Sequence, residues 1–393
     1  MFGGNNSGSA LRAAAILCAL GSMACSSGSK ASKPAPVGEP DLASSVRDVT
    51  RDLMQQLGPA PNASRTLVID PLLDGRTGQQ TRATERVLQQ LAATLTDSAK
   101  SVKLLAFDST GASQSRFVIT GTVTAQADAE HFRLSVALSE QRSGLVVARA
   151  VANFREAGLD VATTRFYNDS PSLVRDRSVE GYLRTSETDA GKPADALYIE
   201  QLPTGALLAN AQAAYNAGKW SDALTLYKAA VQRKDGQQLR TFNGIYVSNV
   251  QLGNMKDAED AFGKIAALGL ATNNLAVKLL FRPNTTEFWP DPKVSGVYPM
   301  WLRQIAKAAQ SVESCLNIIG HTSKTGTAEV NDRLSLARAT AIRDRLEREA
   351  PGIAKKSRVT GVGSRENLVG TGADDASDAV DRRVEFKVVP CAG

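Results

Sequence analysis

From residue 41 onward the chain alternates between two hydrophobic periods. Leu42, Val46, Val49, Leu53 and Leu57 recur at three- and four-residue spacing behind Asp41, which predicts a capped helix. Thr66-Leu67-Val68-Ile69-Asp70, apolar at its three central positions, predicts a buried strand. A polar turn at 74–78 and a helix over 82–98 follow. Four strand-like runs come next, at 102–107, 117–125, 132–138 and 145–154, with turns at 128–130 and Gly144. Together they predict an α+β domain over residues 41–165 with a partly antiparallel sheet. Residues 166–200 are polar and irregular, and are expected as a linker.

Residues 201–271 carry an internal repeat. Gly218, Ala223 and Tyr227 recur as Gly253, Ala258 and Phe262, a period of 35 residues. Each unit predicts a helical hairpin, with the alanines at the helix crossing and the aromatics filling the groove. Two units rarely hold together alone, so neighbouring segments are expected to cover their ends. From 272 to 393 the pattern becomes strand and helix in alternation. Strands are expected at 277–281, 316–320, 359–363 and 384–389, and helices at 299–312 and 329–348. The chain as a whole predicts an α+β multidomain protein.

Composition narrows the chemistry. The balance of 46 Lys+Arg against 40 Asp+Glu is a mild excess with no dense basic run, which argues against nucleic-acid binding. Aromatics at 5% argue against a stacking surface for sugars or bases. Two histidines and four cysteines without a CxxC pair predict no metal site of the usual kind and no cofactor. No nucleophile, base and acid converge in a motif, so no catalytic residues are assigned and an enzyme is not expected. Asp70 and Asp74 form a candidate carboxylate pair, weighed against an Asx turn ending a strand.

Residues 1–24 pair Arg12 with a short apolar run at 13–20, too short to span a bilayer. The following Ser22-Met23-Ala24-Cys25 resembles a bacterial lipoprotein signal, which implies cleavage and lipidation (palmitate) at Cys25. Residues 25–40 read as an unstructured tether reaching about 50 Å when extended. Ser26 resembles the residue that directs lipoproteins to the outer membrane. Cys315 and Cys391 then remain as an even pair. An oxidising periplasm permits a bridge between them; the alternative is two buried thiols.

Three resemblances add to this. The first domain, through "VIDPLLD" and "RFVITGTVTA", is similar to small periplasmic domains of the LpoB, FlgO and CsgG type. The repeat "AAYNAGKWSDALTLYKAAV" resembles a tetratricopeptide unit, which implies protein docking. Residues 272–393 resemble the OmpA-like, peptidoglycan-associated domain, a βαβ sandwich. That likeness rests on Gly320-His321-Thr322, Gly326, Asn331 through Ala339, Gly361-Val362-Gly363 and Asp381 through Glu385. It implies non-covalent binding of the diaminopimelate stem peptide of peptidoglycan. Arg338 stands at the position that grips the ligand carboxylate, and Asn331 at the one that shapes the pocket beside Thr322. The family's ammonium-binding Asp is replaced by Ser323, which forfeits a charge-assisted bond of about 1–3 kcal/mol. Glu329, Asp332 and Asp381 are the nearby carboxylates able to compensate. The implied function is an outer-membrane lipoprotein clamped to the wall, docking protein partners through residues 41–271. The alternative is an assembly factor or regulator of an envelope machine with weakened wall contact.

Overall fold

The computed structural model describes residues 39–59, 65–99, 101–128, 130–370, 372 and 380–391. The expected signal, Cys25 and all but the last two tether residues lie outside the described residues. The architecture is α+β, built around two mixed sheets.

The first domain opens with α1 (Leu42–Leu57), where the Asp41 carboxylate accepts from the Ser44 backbone N–H at 2.7 Å. Then come β1 (Arg65–Ile69), β2 (Leu73–Asp74), α2 (Arg82–Ser98) and β3 (Val102–Leu104). The last is shorter than the expected 102–107. Asp108 turns the chain into α3 (Ser109–Gln114) by accepting from the Gly111 N–H at 2.7 Å. β4 (Phe117–Ala125), β5 (His131–Glu140) and β6 (Leu145–Arg155) complete an antiparallel meander. The sheet order is β3-β1-β4-β5-β6, with β1 parallel to both neighbours and β2 beside β4. Side chains alternate across it as the pleat requires. Leu67, Ile69, Phe117 and Ile119 face α1 and α2, whereas Val68 and Val118 face the other way.

That second face corrects one expectation. Residues 166–200, expected as a linker, hold α4 (Arg165–Asp169), α5 (Arg177–Ser186) and α6 (Ala196–Glu200). Val179, Tyr182, Leu183 and Tyr198 are buried against Val68 and Val118. The Tyr182 hydroxyl accepts from the Gly121 N–H and donates to its carbonyl, each at 2.9 Å. α4 and α6 bury two and one apolar residues, too few for a periodic signal, whereas α5 buries Val179, Tyr182 and Leu183 at helical spacing within a segment that is polar on average.

The repeat folds as two hairpins, α7 (Leu202–Asn216) with α8 (Trp220–Val231), and α9 (Leu239–Gln251) with α10 (Met255–Ala271). Gly218 and Gly253 take the same left-handed turn, with φ of 77° and 76°. Ala223, Ala258, Tyr227 and Phe262 are fully buried. Gly244 leaves room for the Tyr227 ring, which a Cβ at that position would strike. The ends are covered from both sides. Phe166 stacks on Tyr227 at 6.0 Å, and Trp301 lies flat on Phe262 at 5.3 Å and 7°.

The last block contains β7 (Leu275–Lys278), α11 (Pro292–Ser295), α12 (Tyr298–Gln310), β8 (Cys315–Gly320), α13 (Ala328–Glu349), β9 (Ser357–Gly361) and β10 (Arg383–Val389). The sheet order is β7-β10-β8-β9; β10 runs antiparallel to both neighbours, and β8 is parallel to β9 across α13. The strand expected at 277–281 begins earlier and ends at Lys278. Its ladder with β10 stops there, and the Leu280 N–H donates to the Tyr298 hydroxyl at 3.1 Å. Cys315 and Cys391 form a disulfide that ties the start of β8 to the end of β10, with Cα atoms 4.9 Å apart. The hairpins and this block share one continuous core, running from Phe166 through Phe262, Trp301 and Ile342 to Phe386.

Candidate functional site

The C-terminal ends of β8 and β9 carry glycines, and α13 lies directly on them. A Cβ at Gly361 would stand 2.5 Å from the Leu336 nitrogen and 2.7 Å from the Ser335 hydroxyl; one at Gly320 would strike the Ser335 carbonyl. Ser335 closes the seam: its hydroxyl accepts from the Gly363 N–H and donates to the Asp332 carbonyl, both at 2.9 Å.

Thr322 and Ser323 in the loop after β8, and Asn331 and Arg338 on α13, are all buried, with exposures of 3%, 7%, 3% and 6%. The Thr322 N–H donates to the Gly363 carbonyl at 3.0 Å, linking the loop after β8 to the loop after β9. Asn331, in the first turn of α13, donates to the Thr325 carbonyl at 3.1 Å and so shapes the 321–327 loop. Arg338 donates from Nε to the Thr285 carbonyl at 3.1 Å and from Nη2 to the Arg282 carbonyl at 3.2 Å. Its guanidinium lies 4.8 Å from the Phe281 ring centroid. The arginine is therefore held in one plane by the loop that follows β7.

The same loop is gripped a second time. Arg345 lies 4.1 Å from the Phe288 centroid and donates to the Thr286 carbonyl at 3.4 Å. Phe281 and Phe288 form a β-bridge, with their rings 5.3 Å apart. Sequence reasoning missed Phe281, Phe288 and Arg345 as site-building residues. The signal was present: Arg338 and Arg345 are seven apart on one helix face, and the two phenylalanines are also seven apart.

The three carboxylates near Ser323 are committed elsewhere. Asp332 pairs with Arg365. Asp381 is fully buried and accepts from the N–H groups of Leu368, Val369 and Gly370 at 2.6, 3.2 and 2.8 Å. It clamps the 368–370 loop rather than substituting for the acid absent at 323. Glu329 caps the start of α13, where its backbone N–H and Thr327 hold its carboxyl below the usual range. His321 is buried beside Arg383 and Glu385; burial pushes its pKa down to about 3, so the imidazole is neutral. Burial is the largest influence on Glu385 and raises it, but the opposing pulls, led by Arg383 and including Lys387, together leave the carboxyl lowered.

Asp70 and Asp74 do not act as a pair. Asp74 Oδ1 accepts from the backbone N–H of Arg76 and Thr77 at 3.1 and 2.7 Å, forming an Asx turn. Asp70 instead accepts from the Tyr198 hydroxyl at 2.9 Å in a small cavity toward α9. Among the described residues, no cluster of three metal-ligating side chains is found, and no helix is long and apolar enough to cross a membrane.

Residues 281–381 match the OmpA family. No curated protein sequence matches the chain. Among solved structures, the peptidoglycan-associated lipoprotein of Burkholderia pseudomallei is 27% identical, covering 29% of this chain and 89% of its own, with a TM-score of 0.24. The cell wall anchor of the T6SS from Pseudomonas aeruginosa is 25% identical, covering 30% of this chain and 80% of its own, with a TM-score of 0.24.

Proposed function

We propose that the OmpA-family domain at residues 281–381 binds peptidoglycan, and that the seam between β8 and α13 is the contact. The ligand group is the diaminopimelate centre of the stem peptide, an ammonium and a carboxylate on one carbon. Arg338 takes the carboxylate. Its planar fork suits a carboxylate, and its orientation is set in advance by Phe281 and two backbone carbonyls. Ser323 and Thr322 lie beside the ammonium position, and Asn331 holds their loop. The observation that carries this reading is the buried Arg338, pre-oriented by the Arg282 and Thr285 carbonyls and the Phe281 ring. Lipid at Cys25 holds the chain to the outer membrane, with residues 25–40 as tether after a signal at 1–24. Residues 41–165 and 201–271, joined through 166–200, dock protein partners, and 272–393 meets the wall. The role is a non-enzymatic clamp.

Sedimentation of the full chain with isolated sacculi tests this. Ser323→Asp restores a charge-assisted bond of about 1–3 kcal/mol, a gain of about 5- to 150-fold. Arg338→Lys keeps the charge but loses the fork, and releases the chain from the wall. Sedimentation that neither change alters refutes the site. A second reading, a regulator of an envelope machine, is favoured by the core shared between the hairpins and the C-terminal domain. It predicts a stoichiometric partner whose capture does not change with Arg338→Lys.

A further inference from the structure

We propose a second binding site: the cleft between the α9–α10 hairpin and the C-terminal domain takes the free C-terminus of a peptide whose last residue is apolar. The cleft holds about 470 Å³, within the range of sites that enclose a ligand of a few residues. It is formed only because the hairpin and the C-terminal domain share a core. The proposal does not depend on wall binding, since none of Thr322, Ser323, Asn331 and Arg338 lines the cleft.

One wall is aromatic and rigid. The Trp301 indole N–H donates to the Tyr246 hydroxyl at 2.8 Å, and Tyr298 packs 5.0 Å from Trp301. Val250 on α9 and Val294 and Val297 of the C-terminal domain also line the cleft. These side chains suit an apolar residue, and their mutual contacts mean that little ordering is needed on binding.

Among the described residues the lining carries Lys278, Lys293 and Arg382 against the single carboxylate of Asp169. Lys278, at the end of β7, donates to the carbonyls of Tyr167 and Asn168, both at 2.8 Å. An ammonium has three N–H groups, and these two bonds hold its position. Burial pushes its pKa down to about 8, so it is still cationic at neutral pH and gains from a carboxylate partner. Lys293 adds a second, exposed ammonium at the rim. That carboxylate attracts the Lys278 ammonium, accepts from the Tyr215 hydroxyl at 2.8 Å and faces Arg165 at 3.8 Å. An apolar body with a terminal carboxylate fits this arrangement. The exposed amide groups of Asn168 and Gln251 along the lining match the peptide units of a main chain, which a fatty acid lacks.

The test is fluorescence anisotropy on the full chain, using N-terminally labelled Gly-Ser-Gly-Val-Leu with a free C-terminus and the same peptide as its C-terminal amide. The acid is expected to bind about tenfold or more tightly than the amide. Lys278→Met and the exposed Lys293→Glu each weaken the acid and leave the amide unchanged; the second keeps the test valid if the first disturbs folding. Equal binding of acid and amide, no binding of the acid up to about 2 mM (a Kd worth less than about 4 kcal/mol), or indifference to Lys293→Glu overturns the proposal. Decanoate binding as tightly as the peptide and displacing it also overturns it, since the occupant is then a lipid-like anion.

Discussion

Replacing Asp70 by asparagine will flatten the pH dependence of stability. Asp70 directly follows β1, the strand between β3 and β4, and lines the cavity where the first domain meets α9. Burial pushes its carboxyl up to about 7, against the opposing pull of Arg240 on α9 and of the Tyr198 hydroxyl. Tyr182 on α5 and Tyr167 on α4 also face this cluster. In the unfolded chain the same group titrates near 3.9. The folded state therefore keeps a proton that the unfolded state has lost between about pH 4 and pH 7, and stability falls as pH rises through that window. From pH 5 to pH 8 the two pKa values give a loss of about 2.5 kcal/mol from this group. In the Asp70→Asn variant the side-chain amide still accepts from Tyr198 and carries no charge to desolvate. Urea unfolding of both proteins at pH 5 and pH 8 measures the effect. The wild type is expected to lose about 2.5 kcal/mol more than the variant over that interval. Equal losses would mean that Asp70 is ionised against Arg240 throughout, and would refute the reasoning.

Two further outcomes follow from the packing. Replacing both Cys315 and Cys391 by serine frees a loop of 76 residues, worth up to about 4.5 kcal/mol on chain-entropy grounds; an unchanged denaturation midpoint under oxidising conditions would contradict it. Trp301→Ala removes the ring stacked on Phe262 and the donor to Tyr246, and is expected to cost about 3–5 kcal/mol. Because the core is shared, hairpins and C-terminal sheet should lose stability together by hydrogen exchange, and weakening confined to one of them would count against a single core.

The shared core also bears on how the C-terminal domain is studied. An isolated 272–393 piece would expose Trp301, Ile305 and Leu275, which are buried in the core shared with the hairpins. Wall binding is therefore best measured on the full chain.

Much of this protein was legible in its sequence. The helical period behind Asp41, the 35-residue repeat of Gly218 and Gly253, and the order of motifs from Gly320 to Glu385 each report local constraints: a cap, a left-handed turn, a close approach of helix to strand. Such constraints act over a few residues and leave their mark where they act. In three places local marks did not say which groups would meet. Residues 166–200 are polar on average, yet Tyr182 and Tyr198 fold onto a sheet face made by strands more than 50 residues earlier. Phe281 and Arg338 stand 57 positions apart, and only the crossing of α13 over the loop after β7 brings them into contact. Asp332, Asp381 and Glu329 lie near Ser323 in sequence or motif, but side-chain direction decides their partners, and it sends them to Arg365, to the 368–370 backbone and to a helix cap. The elements follow from short-range periodicity and capping, whereas long-range packing decides which faces meet and which charges find each other.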